Sequence, residues 1–551
     1  MDTREYLQGL SSDGYKFFGS HKKDKGYIFR LLAPDAKEVH IIGDFNDWQE
    51  SKLRSYSTGV FSISIKNAKV NDRYQYVITD KNGQKCKKID PFSRKILINE
   101  NSSVITDDTY KFNNKRAKIS PTNIYQVHLG SLFKDNSKKK NQILDDLLEH
   151  AIANNFTYIK FLPVTEYKNY KSYGFNSIGL FAFTSRYGES KDFKKFIDDC
   201  HKNKIGVILD LDFSQFDPDS YYLNDFDGTR LYNYDYDDIN YTYHNTINFD
   251  PEKNLTKSYL KSCISFWINE FNVNGIELSN IDSMIFWQGD FSRGVNNKFM
   301  NLISELIDLI HANKSLALAS FNGNYDFDLG FDYVYDYSLR PLIRINQKQP
   351  FERNYYKKDI GKIINANNSN KILGFSYIDS FLDEASLAMK MFGSEKLKQM
   401  KTIFTLFYSL NSSKMLFMGD EILSNQTFSV YENIDMNALD KNQGTFNKFY
   451  KDLSKIYLNY KALNDCKSIT KILDIEGYSL YAFVREFEDE KLLVIINLTD
   501  IDYSIKSPYK IKELINSEDI SYEGSGNING NIEKNEKIYL SPYGSAIFKI
   551  L

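Results

Sequence analysis

The sequence predicts an α/β fold, a (β/α)8 TIM barrel flanked by an N-terminal and a C-terminal antiparallel β-sandwich. Three observations carry this. Short strands without intervening helices fill residues 1 to about 110, strand and helix alternate from about 113, and short strands return after about 466. The domains drawn from these changes are 1–112, 113–465 and 466–551. A length of 551 residues exceeds one ordinary domain, and 42% hydrophobic with 26% charged residues is enough for sizeable cores.

In the first domain GYIFRLLAP, EVHIIGDF, VFSISI and YQYVITD alternate or run apolar, and Asp80-Lys81-Asn82-Gly83 makes a hairpin turn. The second opens with IYQVHLGS, followed by the helical LDDLLEHAIANN, the strand YIKFLPV, the segment SYGFNSIGLFAFTSRYG, the helix KDFKKFIDDCHKNK and the strand IGVILDLDF. Crossovers of that length imply a parallel sheet. The stretch FNVNGIELSNIDSM is the pivot: Val273 to Leu278 has the length of a buried strand, and the preceding SYLKSCISFWINEF places Phe266, Trp267 and Phe271 on one helix face. Barrel chemistry sits at strand C-terminal ends, and the residue at this mouth is Ser279. After the helix FNKFYKDLSKIYLNY, strands such as SLYAFVREF and KLLVIINLT lead to the closing LSPYGSAIFKIL.

Composition narrows the function. Basic and acidic residues number 70 and 72, so nothing favours a polyanion such as nucleic acid, and the Lys138-Lys139-Lys140 run reads as a solvated loop. The four scattered cysteines have no CxxC spacing, which argues against a zinc site or disulfide framework and fits a reducing cytosol. MDTREYLQGL lacks a basic-then-apolar signal, and no apolar run spans a bilayer. A cytoplasmic protein with no membrane partner, no cofactor and no metal is expected.

FRLLAPDAKEVHIIGDFNDWQ (Phe29 to Gln49) and KIDPFSRKI resemble the carbohydrate-binding-like sandwich (carbohydrate-binding module 48) that precedes the barrel in 1,4-alpha-glucan branching enzymes of the α-amylase superfamily, glycoside hydrolase family 13. The likeness runs almost gap-free from Ile124 to Phe216, and resumes at Asp225–Thr229, His244–Thr246, Leu329–Phe331 and Lys414–Glu421. ELINSED and YEGSGN resemble that family's C-terminal β-domain. Such enzymes use two carboxylates about 5 Å apart, one attacking the anomeric carbon and one serving as acid and base. The resemblance places the nucleophile on Ser279, the acid/base on Ser320 and the third, stabilising carboxylate on Ile378. It places the arginine beside the nucleophile on Glu277 and the two sugar-gripping histidines on Gln215 and Tyr377, while Asp210 is retained.

The reaction core implied by the family is therefore missing. Ser279 would need an adjacent base, and neither a histidine nor a lysine is expected at a matching mouth position. Glu277 lies one layer deeper on the same face as Ser279; with Asp212, Asp282 and Asp379 it could supply a rearranged carboxylate pair. Candidate sugar contacts are Tyr173, Phe175, Asp210, Trp287 and Trp48; the Tyr232–Tyr243 stretch could line a glucan groove, but most of these aromatics read as core or rim residues and Trp48 as packing at the domain junction. The first reading is a catalytically inactive homologue in glycogen or storage-glucan metabolism that binds α-glucan or an active partner enzyme. The alternatives are an active branching enzyme with a rearranged site, and a protein-binding scaffold without sugar binding.

Overall fold

Eight parallel strands, hydrogen-bonded in chain order, close into a barrel: β1 (Asn123–Val127), β2 (Tyr158–Phe161), β3 (Gly206–Asp212), β4 (Gly275–Ser279), β5 (Leu316–Ser320), β6 (Tyr333–Asp336), β7 (Lys371–Phe375) and β8 (Ser413–Phe417). The structure, a computed structural model, describes residues 3–116, 118–132, 138–321, 328–366, 370–381, 385–432, 434, 439–475 and 479–551. Strands covered on both faces read as continuous apolar runs, and β3 (GVILDLD) is buried throughout, Asp210 and Asp212 included.

The outer helices are α1 (Lys140–Ala153), α2 (Ser190–Lys202), α3 (Asn254–Phe271), α4 (Asn297–Ala312), α5 (Arg340–Asn346), α6 (Lys357–Asn365), α7 (Lys396–Ser409) and α8 (Lys441–Asn459). On α3 the expected face is buried: Phe266, Trp267 and Phe271 are all within 1% of full burial. The Trp267 indole N–H donates to the Leu180 carbonyl at 2.9 Å, so the ring is anchored as well as packed. Asn272, in the left-handed region, ends α3 and turns the chain into β4.

Residues 19–104 form two antiparallel sheets, with the 80–83 turn linking the 73–79 and 85–88 strands. From residue 469 a six-stranded antiparallel sheet faces the two-stranded 503–506/537–540 pair. Both lean on the barrel through α3 and α7. Ser258 donates to the Tyr6 carbonyl at 2.8 Å, and the Phe92 ring lies 4.7 Å from Phe181 and 5.4 Å from Tyr259. On the other side Lys401 donates to the carbonyls of Ser517 and Tyr522. Among the described residues no helix is long and apolar enough to cross a membrane.

Arg353 is the deepest tie at the C-terminal junction. Fully buried, it donates to Asn346, Lys348, Gln399 and the Leu498 carbonyl, all neutral oxygens. Burial without a carboxylate lowers its pKa to about 10. Arg353→Met strands several buried acceptors and should remove about 3 kcal/mol from the unfolding free energy, read as a drop in the urea midpoint. An unchanged midpoint would mean those acceptors find water.

Candidate functional site

The residues expected at the barrel mouth do converge. A cavity of about 30 Å³ is lined by Asp210 from β3, Glu277 and Ser279 from β4, Ser320 from β5, and Tyr377 and Ile378 just after β7. Parallel pairing aligns Asp210 with Glu277 and Asp212 with Ser279, so these side chains stand in adjacent layers of one wall. Gln215 lies outside this cavity, in the groove described below.

One group corrects the sequence expectation that no lysine reaches this position. Lys160, in the middle of β2, points into the same cavity and is 2% exposed. Its ammonium lies 2.5 Å from Glu277 and 3.8 Å from Asp210. The signal was present in YIKFLPV, because a lysine inside a wholly buried strand must find a partner. Its ion-pair partners are Glu277 and Asp210, and no hydrogen bond joins it to the Ser279 hydroxyl.

Asp210 is the strained member. Its Oδ1 and the Ser279 hydroxyl form no well-aligned hydrogen bond, yet the hydroxyl lies close enough to hold the Asp210 pKa down in part. Burial above all, offset by Lys160 and reinforced by the Glu277 charge, pushes the Asp210 pKa up to about 7. The other acids considered for a rearranged pair have fixed roles. Asp212 accepts from the Ser214 N–H and hydroxyl, from Gln215 and from Asn280. Asp379 holds the Arg340 guanidinium at 2.7 Å and accepts from the Ser376 N–H at 2.8 Å. Asp282 is buried on the Ile281–Ile285 turn and does not line the cavity.

Aromatic rings narrow the mouth from above. Phe175 stacks on Tyr377 with centroids 6.0 Å apart, Tyr173 lies 5.9 Å from the same ring, and Phe428 packs 5.4 Å from Tyr173. Tyr377 is fixed from below, its N–H donating to Gln126 at 2.8 Å. A space of about 30 Å³ holds one or two waters, whereas ligand pockets run to roughly 300 Å³ or more. No sugar ring fits there.

Beside this lid lies an open groove of about 570 Å³. Tyr173, Phe175, Gln215, Tyr243, His244 and Asn280 line it together with Lys171, a set of amides, hydroxyls and rings with one lysine. The expected tyrosine stretch divides: Tyr232 and Tyr234 are core, while Tyr236 and Tyr243 are 73% and 89% exposed. Trp287 is half-buried against Tyr234 at 6.0 Å rather than in the groove lining. Trp48 is half-buried as well, and its contacts stay within the N-terminal module: its indole N–H donates to Asp44 at 3.0 Å and Arg73 sits 5.6 Å from its ring. Among the described residues no group of three or more His, Cys, Asp or Glu is placed to hold a metal ion.

Stability should report the raised carboxyl. Asp210 is protonated more readily folded than unfolded, so its contribution is complete below the ordinary carboxylate range and is lost as pH climbs from about 4 through about 7. Asp210→Asn should flatten the fall in unfolding midpoint across that window and become the more stable form above it. A wild-type profile no steeper than the variant's contradicts this placement.

The comparisons with known proteins agree along the chain. Residues 17–93 match the carbohydrate-binding module 48 (isoamylase N-terminal domain) family, and residues 473–550 match the alpha amylase C-terminal all-beta domain. A 1,4-alpha-glucan branching enzyme of Geobacillus stearothermophilus is 29% identical over 580 residues, covering 96% of this chain and 91% of that protein. That of Fusobacterium nucleatum is 29% identical over 494 residues, covering 84% and 81%. A pullulanase of Anoxybacillus sp. LM18-11 complexed with maltotetraose shares the fold, with a TM-score of 0.78 at 13% identity over 100% of this chain and 89% of that one. The chain is a homologue of the bacterial 1,4-alpha-glucan branching enzymes, with the domain plan of the α-amylase superfamily and a lysine–glutamate pair in its barrel mouth.

Proposed function

We propose that this protein is a non-catalytic branching-enzyme homologue of glycogen or storage-glucan metabolism, binding α-glucan or an active partner enzyme instead of remodelling the glucan itself. The observation that carries the reading is Lys160, bound to Glu277 within a narrow space of about 30 Å³ where glycosyl transfer needs two free carboxylates and room for a ring. Ser279 and Ser320 offer neither a carboxylate nucleophile nor a group that is acidic at neutral pH. The amide- and tyrosine-lined groove beside the lid suits a neutral polyhydroxylated chain.

A second reading keeps the chain an enzyme, and one observation favours it. Asp210 and Glu277 face the same ammonium, and Asp210 is pushed up to about 7, where a general acid works. Turnover separates the two. Iodine staining and reducing-end release on amylose should show none, and new α-1,6 branch points abolished by Glu277→Gln would establish the enzyme. Affinity electrophoresis in glycogen addresses binding: retarded migration, reduced by Tyr243→Ala, is expected, and an unretarded band favours a scaffold without sugar binding.

Reinstating acids tests the role of the aromatic lid. Ser279→Asp with Ser320→Glu should still give no branching, because the site lacks space for a ring; measurable turnover from that pair alone would locate the whole deficit in the missing acids.

A further inference from the structure

On the outer wall of the barrel α5 and α6 enclose a groove of about 1,020 Å³ that no step above uses. Its floor is apolar, with Ile345 and Ile363 buried and Tyr356 half-buried. Its rim carries Arg344, Lys348 and Lys362 against the single acid Asp359, all exposed, so the rim is net cationic.

Charge sets this segment apart. The chain carries 70 basic and 72 acidic residues, yet residues 338–365 hold seven Lys or Arg against two Asp or Glu. Arg340 is engaged with Asp379, Arg353 is buried, and Lys362 lies 3.5 Å from Asp359. Among the described residues no acidic side chain is within ion-pair distance of Arg344 or Lys348. Apolar surface continues past the groove, with Phe351 65% and Tyr355 81% exposed on the turn joining the two helices. Arg353 pins that turn to Asn346 and to Leu498 of the C-terminal domain, so the groove stands formed before anything binds.

An apolar floor between cations is the complement of a helix with one apolar face and acidic flanks. A polyanion such as nucleic acid would satisfy the rim but lay phosphates over Ile345 and Ile363. A sugar chain would leave the cations unpaired. We propose that the α5–α6 groove docks an acidic amphipathic helix of a partner protein. The site is separate from the barrel mouth and stands whether or not the barrel turns over glucan.

The test is fluorescence anisotropy of the full chain with a labelled synthetic peptide, leucines along one helical face and glutamates on the flanks. Saturable binding that weakens with added salt, and on the order of tenfold in Arg344→Glu/Lys348→Glu, is expected, with the remote Lys512→Glu unchanged. Equal binding of a composition-matched peptide with scrambled periodicity overturns the proposal, as does a single-stranded oligonucleotide that binds as tightly. Hydrogen exchange on the wild type guards against a misfolded variant: peptide-induced protection within residues 338–365 supports the groove, and protection confined elsewhere overturns it.

Discussion

The ion pair between Lys160 and Glu277 is the constraint on which the barrel mouth depends. Both groups are 2% exposed, and in so dry a place an unpaired charge costs several kcal/mol. A glutamate on β4 therefore requires a cation within reach, and β2, across the intervening β3, supplies it. Once in place, the ammonium changes the chemistry of its surroundings. A glycosyl transition state develops positive charge at the anomeric carbon and is stabilised by negative groups around it. A fixed lysine between the remaining acids opposes that stabilisation.

Packing follows the same logic. Where the family resemblance places a sugar-gripping histidine, Tyr377 puts a ring that stacks with Phe175 and Tyr173 and reaches Gln126 through its backbone. These rings limit the space for water from above while the lysine neutralises charge from below, and the two support each other: a buried ion pair is tightened by the loss of solvent, and an aromatic lid is stable over a site with little net charge. The remaining open space is displaced sideways into the amide-rich groove, where Tyr243 stands 89% exposed.

Much of this was legible in the sequence, and what was not has a physical cause. The strand order, the α3 face around Trp267 and the strand-end position of Ser279 all follow from periodicity and crossover length, which are local properties of the chain. Matching positions to a family also located Glu277, Tyr377 and Ile378 at one cavity. That matching asks what became of each old residue and is blind to a new one. Lys160 matches no functional position of that family and sits inside an otherwise apolar strand, although its burial alone demands a partner. The tyrosine stretch reads mostly as core or rim, and Tyr232 and Tyr234 do serve the core, while which members face solvent, Tyr236 and Tyr243, is set by loop path rather than composition. The narrowing of the mouth is three-dimensional and has no counterpart in any single segment.

Asp210 shows how the parts fit less than perfectly. A buried carboxyl whose Oδ1 has only the poorly aligned Ser279 hydroxyl nearby, 3.8 Å from a lysine already engaged by Glu277, is less well satisfied than most buried acids. Its neighbour Asp212, two residues on, meets four donors and shows what a carboxylate placed for structure looks like in the same strand. The contrast gives the non-catalytic reading its sharpest internal check. If Asp210 serves neither chemistry nor ligand, nothing offsets its cost, and an amide there should be the better fit in the dry cavity beside Lys160. If the charge or proton it carries is used, the strain is of the kind that active sites hold and the surrounding fold sustains. The two cases differ in sugar turnover, not in fold, because Asp210 joins the barrel through its backbone pairing opposite Glu277 whichever group its side chain carries.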